Sequence, residues 1–296
     1  MTEPRHRRHP LASGVELHAM HWDPADDADG SLPPWLLVHG LASNARLWDG
    51  VARHLSRLGH RVVAVDQRGH GRSSKPDTGY EMATVADDLH LLIDAIGWTR
   101  PAVAGQSWGG NVVLELAHRH PGSVRMIACV DGGFIDLARR FPNWDDAATA
   151  LAPPRLAGTS LETITGWLET SASDWPEEGR QGTLANFEVR ADGTIAPWLT
   201  FDRHLTVLRG LWEHAPSTRY PSLAVPALLI AADTGDVAWT DSKRDAVDAA
   251  IAALPRGRVE WFSPAHHDVH AQRPVEVGDL LHRAVTDPHF FPEPTT

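Results

Sequence analysis

Short apolar runs of strand length alternate along this chain with longer segments whose apolar residues recur at three- and four-residue spacing. Val15–Trp22 alternates like a half-buried strand, and Trp35–Val38, Val62–Val65, Ala102–Ala104, Met126–Val130, Ala227–Ala231 and Val259–Phe262 read as short strands buried on both faces. Between them Arg46–Leu58, Thr84–Ile96, Gly110–His120, Asp241–Leu254 and Pro274–Val285 carry helical periodicity. This order predicts an α/β fold with a doubly wound, mostly parallel sheet. The alternation lapses between Phe134 and about Tyr220, a tryptophan-rich stretch with helical patterns at Leu161–Thr170 and His204–Glu213 and no convincing buried strand. Because strand-type sequence resumes afterwards, residues 134–220 are expected to be a helical cap inserted into a core built from 1–133 and 221–296.

At 296 residues the chain is long enough for one such domain with a sizeable core. Its 27 Lys+Arg against 38 Asp+Glu leave a net charge of −11, and the one basic cluster is the tail with Arg5, Arg7 and Arg8. Nucleic acid is therefore not an expected partner. The N-terminus lacks the apolar core of a signal peptide and no run approaches about 20 apolar residues, so no membrane association and a cytoplasmic location are expected. The single cysteine, Cys129, falls in a buried strand and reads as an inert core thiol. The acidic Asp23–Gly30 loop and the Pro-rich end Phe290–Thr296 read as solvated surface.

Chemistry concentrates at strand ends. Gly105-Gln106-Ser107-Trp108-Gly109 follows the run Ala102–Ala104 and opens a helix. A G-x-S-x-G pattern in strand–turn–helix context lets two backbones approach closely and holds the serine hydroxyl clear of the sheet, marking Ser107 as a nucleophile. His39-Gly40-Leu41 follows Trp35–Val38, a position suited to an oxyanion-binding amide; the two donors would be the N–H groups of Leu41 and Trp108. Of the 18 histidines, His267 in Ala265-His266-His267-Asp268-Val269-His270 lies after the last strand and is the expected base, with His266 as a competitor. Its acid is expected on the loop Ala232-Asp233-Thr234-Gly235-Asp236, where Asp236, beyond the glycine, is better placed to reach the histidine and Asp233 could instead satisfy the turn's own amides. Gly69-His70-Gly71 opens like a dinucleotide fingerprint, but Ser74 stands where the third glycine belongs and no helix follows. The His266–His270 cluster has no second group of ligands elsewhere, so no metal is expected.

These motifs, with Asp66-Gln67-Arg68-Gly69-His70-Gly71-Arg72-Ser73, resemble the α/β-hydrolase superfamily, of the type with a helical cap after the sixth strand. The likeness runs from Val15 to about Val285; in it the Asp66–Ser73 loop is structural. It departs from the family pattern in having His266 where glycine usually precedes the histidine, and Ala232 for the glycine of the acid loop, with Asp236 one residue late. Some relatives place the acid after the sixth strand, which implies Asp131, directly after Met126–Val130, as the second choice for the acid and leaves Asp233 third. The resemblance implies a cofactor-free serine hydrolase that cleaves a small, apolar carboxylic ester or lactone through an acyl-enzyme. Relatives that open epoxides or displace halide carry aspartate where this chain has Ser107. Thioester hydrolysis, C–C bond hydrolysis in aromatic breakdown and perhydrolase-like chemistry fit the same constellation, as does a small-ligand-binding protein without turnover. His39, Gly40 and Trp239 are expected at the substrate pocket, roofed by the cap tryptophans, although for any single tryptophan packing cap on core is the commoner role.

Overall fold

The computed structural model describes residues 3–25 and 31–291. Eight strands form one sheet: β1 (Arg5–Pro10), β2 (Glu16–Trp22), β3 (Trp35–Val38), β4 (Val62–Val65), β5 (Ala102–Gln106), β6 (Met126–Val130), β9 (Ala227–Ala232) and β10 (Gly257–Phe262). Their order is β1-β2-β4-β3-β5-β6-β9-β10; the pairs β1/β2 and β2/β4 are antiparallel and the rest parallel.

Period-two alternation within each buried strand assigns its residues to two apolar layers. On one face Leu36, Val38, Val63, Val65, Val103 and Ile127 pack with Val85, Leu89 and Leu92 of α2 (Met82–Ala95) and Val112, Val113 and Leu116 of α3 (Trp108–Arg119). On the other, Trp35, Leu37, Ala64, Ala104, Ala128 and Ile230 pack with Val51, Ala52 and Leu55 of α1 (Asp49–Arg57) and Val277 and Leu281 of α11 (Pro274–Thr286). Each fully buried Val, Leu or Ile contributes roughly 1.5–3 kcal/mol. Central strands covered twice must be apolar at every position, which is why they read as continuous runs.

The chain between β6 and β9 adds no strand to this sheet. It holds α4 (Leu137–Arg140), α5 (Trp144–Ala150), α6 (Leu161–Ser171), α7 (Glu177–Leu184), α8 (Phe201–Trp212) and a hairpin of β7 (Phe187–Val189) with β8 (Ile195–Pro197). The hairpin was not expected: strands of three residues are too short to show a period. The remaining helices are α9 (Val237–Ala253) and α10 (Val269–Gln272). Among the described residues no helix is long and apolar enough to cross a membrane.

Two terminal expectations need correction. The basic tail is the edge strand β1, whose exposed Arg and His side chains hide its strand character and whose Pro10 ends it at the sheet margin. Phe290 is buried rather than solvated, with the Arg258 guanidinium 4.3 Å from its ring and Arg258 Nη1 donating to its carbonyl at 2.8 Å. Residues 26–30 and 292–296, the rest of the two segments read as solvated surface, lie outside the described residues. Truncating Phe290 to alanine is expected to lower unfolding free energy by about 3 kcal/mol in urea titration; a loss under about 0.5 kcal/mol would mean a solvated end.

Candidate active site

β3 has β4 on one side and β5 on the other, so successive crossovers leave in opposite directions and open a crevice at their C-terminal ends. The loops after β3, β5, β6 and β10 meet there. The turn from β5 into α3 is sharp: Ser107 has φ 52° and ψ −120°, a conformation costly for a residue with a side chain. Its N–H donates to Val130 O at 2.8 Å and its carbonyl accepts from Gly110 N at 2.9 Å. The glycines are required by contact. A Cβ at Gly105 would overlap the Gly109 carbonyl, one at Gly109 the carbonyls of Val38 and His39, and one at Gly132 the carbonyl of Ser107.

Leu41 and Ala42 continue from β3 beside this turn. His39, fully buried, faces Gly40 O with Nδ1 at 2.7 Å and accepts from Gln67 N with Nε2 at 3.0 Å. His70 repeats the pattern, with Nδ1 3.0 Å from Arg68 O and Nε2 accepting from Ala42 N at 3.3 Å. Each ring thus serves as a neutral Nδ1–H tautomer, and burial, the leading cause, lowers both pKa values below the ordinary histidine range. His39 is accordingly a backbone staple and not a pocket wall. Among the described residues neither Leu41 N–H nor Trp108 N–H is paired with a protein acceptor. The Trp108 side chain is fully buried and stacks on His70 with centroids 5.3 Å apart, behind the loop.

His267 Nδ1 lies 2.6 Å from Asp131 Oδ2, so the carboxylate on the histidine comes from the end of β6 and not from the loop after β9. Asp131 itself has φ 43° and is 2% exposed, with Ala232 N donating to Oδ1 at 3.0 Å. Asp233 spends its side chain on its own turn, accepting from Gly235 N at 2.9 Å and Thr240 Oγ1 at 2.8 Å. That turn leaves Asp236 exposed at the start of α9, where its carbonyl accepts from Thr240 N at 2.9 Å. Of the candidate acids, Asp131, the second choice, is thus the one hydrogen-bonded to His267. The side chain of Trp239 lies outside the described residues.

Burial opposes protonation of His267, but the hydrogen bond it donates to Asp131 and the charges of Asp268 and Asp131 outweigh it and raise the ring's pKa above the ordinary value. Burial likewise works against the Asp131 carboxylate, and His267, Lys243 and Ala232 N–H overcome it to hold its pKa below the usual range. Lys243 on α9 was not anticipated from sequence. Its Nζ donates to both Asp131 oxygens at 2.8 Å and to Ala232 O at 2.6 Å. His266, the competing base, is exposed and sits 3.2 Å from Asp268 N through Nδ1. Cys129 is buried under the turn, its thiol pushed up to about 12 by burial, as an inert core thiol should be.

Ser107 and His267 line one cavity of about 160 Å³, without a direct hydrogen bond between them among the described residues. Leu41, Ala42 and Leu47 form its apolar side; Ser43 and Gln106 are polar, and Thr183 and Asn186 close it from the segment between β6 and β9. Among the described side chains no tryptophan lines it. Trp144 and Trp212 pair edge to face at 6.0 Å, Trp175 is buried against His266, and Trp167 is exposed.

A family model described as the alpha/beta hydrolase fold matches residues 33–274. The 2-(acetamidomethylene)succinate hydrolase of Mesorhizobium japonicum is 38% identical over 102 residues, 34% of this chain and 36% of that protein. The non-heme chloroperoxidase of Streptomyces lividans is 34% identical over 114 residues, 38% of this chain and 40% of that protein. Across the curated relatives the matched stretch spans only 30% to 42% of their lengths. The crystal structure of E-2-(acetamidomethylene)succinate hydrolase superposes with a TM-score of 0.73 over 96% of this chain and 99% of that one at 22% identity, a likeness of fold.

Replacing Gly132 by alanine forces its Cβ against the Ser107 carbonyl, which is backbone and cannot swing aside. The expected result is a loss of about 2 kcal/mol or more in thermal or urea unfolding, whereas alanine at Gly158, with nothing within 4 Å of its Cβ, is opposed only by its φ of 89°.

Proposed function

The chain belongs to the α/β-hydrolase fold family, and from that premise we propose that it is a serine hydrolase acting on a short-chain carboxylic ester or lactone through an acyl-enzyme. Residues 134–220 act as the cap that closes the cavity. One observation carries the reading: Ser107, held in a strained turn, shares a small cavity with a histidine anchored through Nδ1 on the buried Asp131.

With Nδ1 engaged, Nε2 of His267 is the nitrogen that takes the Ser107 proton as Oγ attacks the acyl carbonyl. Asp131 holds the tautomer and stabilises the imidazolium. The amides of Leu41 and Trp108, the latter at the N-terminus of α3, receive the developing oxyanion. The imidazolium then protonates the leaving alkoxide, and water repeats the sequence in reverse on the acyl-enzyme. A cavity of about 160 Å³ with hydroxyl and amide groups on one side suits a small acyl group with some polarity better than the wholly apolar one expected from the tryptophan content.

The test is fluorophosphonate labelling followed by intact mass, with hydrolysis of short p-nitrophenyl esters alongside. One adduct per chain is expected in the wild type and none in Ser107→Ala. Asp131→Asn should lower kcat/KM by about 10³–10⁴, while Asp236→Asn stays within about twofold. The converse pattern would return the acid role to the β9 loop, and a folded wild type that takes no label would overturn the nucleophile.

The sign of the pH dependence follows from the histidine. It must be neutral to accept the proton, so activity is lost as pH falls through its pKa. Because that pKa lies above the ordinary 6.5, the midpoint of the acid limb of kcat/KM is expected above pH 6.5. A midpoint well below it would mean that His267 is not the base.

A further inference from the structure

Asp131 accepts four hydrogen bonds, one each from His267 Nδ1 and Ala232 N and two from Lys243 Nζ. The ammonium is held by both carboxylate oxygens and Ala232 O, and the lysine side chain is 8% exposed. Holding the Asp131 and Lys243 charges together away from water is costly unless they are paired, and here each is paired with the other while His267 adds a bond to the carboxylate. The lysine also comes from the crossover after β9, the segment that also carries Asp236.

We propose that Lys243 is a positioning residue that sets the basicity of His267 by neutralising part of the charge on Asp131 while fixing that carboxylate's orientation. This rests on the serine hydrolase reading of the same site. The physical reason is the sequence Lys⁺, Asp⁻, His. A carboxylate alone would stabilise the imidazolium fully; a second cation on the same two oxygens competes for that charge and keeps the histidine a weaker base. The other charged or titratable groups facing His267 are Asp268 beside it, which acts in the opposite sense, the buried His270 on α10, and the adjacent His266. Lys243 is the one cation among the groups that shift the ring, and it acts to lower its pKa.

The experiment titrates His267 by NMR in protein carrying ¹³C-labelled histidine, with the signal assigned by its loss in His267→Gln. Ser107→Ala serves as the background, so the readout does not depend on turnover. Lys243→Met should raise the His267 midpoint by about one pH unit, and Lys243→Arg, which keeps the charge, should leave it within about 0.3 unit. In the Ser107 enzyme the acid limb of kcat/KM should move with it. If Lys243→Met does not fold, Lys243→Gln is read the same way. An unmoved or lowered midpoint in a neutral variant that melts like the wild type overturns the proposal, and so does unfolding of both neutral variants, which would make the lysine a fold anchor only. Failure of the wild type to take a fluorophosphonate would sink the nucleophile reading instead, and the titration would still decide the role of Lys243.

Discussion

The backbone of the β5–α3 turn touches its neighbours with no atom to spare. Gly109 lies against the carbonyls of Val38 and His39, Gly105 against the start of α3, and Gly132 against the carbonyl of Ser107. These contacts bring the ends of three adjacent strands closer than side chains would allow. They press Ser107 into a positive-φ conformation that an isolated turn would avoid at a cost of about 1–3 kcal/mol. The strain is tolerable because it sits on two fully packed apolar layers that hold β3, β5 and β6 in fixed register. The rest of the site inherits its geometry from that compression, including the direction in which Asp131 leaves β6.

Two groups of histidines do opposite work within this framework. His39 and His70 are locked behind the loop after β3 by backbone partners on both nitrogens, and burial keeps them neutral donors and acceptors. His267 stands 46% exposed on a carboxylate that raises its affinity for a proton. Burial without a charge partner makes a staple; a carboxylate partner makes a ring able to cycle its proton. Lys243 then adds a third charge to the pair.

Much of the site could be read from residue order. Gly105–Gly109 after an apolar run, His39-Gly40 after another, and His267 after the last strand each carry a local signature, because their backbone requirements act over a few residues. The acid could not be ranked that way. Asp131 and Asp236 both follow buried strands, and which one reaches His267 depends on how a turn more than a hundred residues distant is spent. Asp233 uses its side chain to close that turn, so Asp236 starts α9 in solvent and a lysine further along the helix meets Asp131. The tryptophans could not be placed from sequence for a related reason: their size signals burial, but burial between packed segments and burial around a cavity have the same composition.

The sequence by itself determined the fold class, the strands that carry the site and the residue types at the turn, since hydrophobic period and glycine placement act locally. The tertiary structure decided which carboxylate pairs with the histidine, what sits on that carboxylate, and which residues between β6 and β9 close the cavity. Those are contacts between segments far apart in the chain, and their partners are chosen by packing and charge compensation that no local pattern encodes.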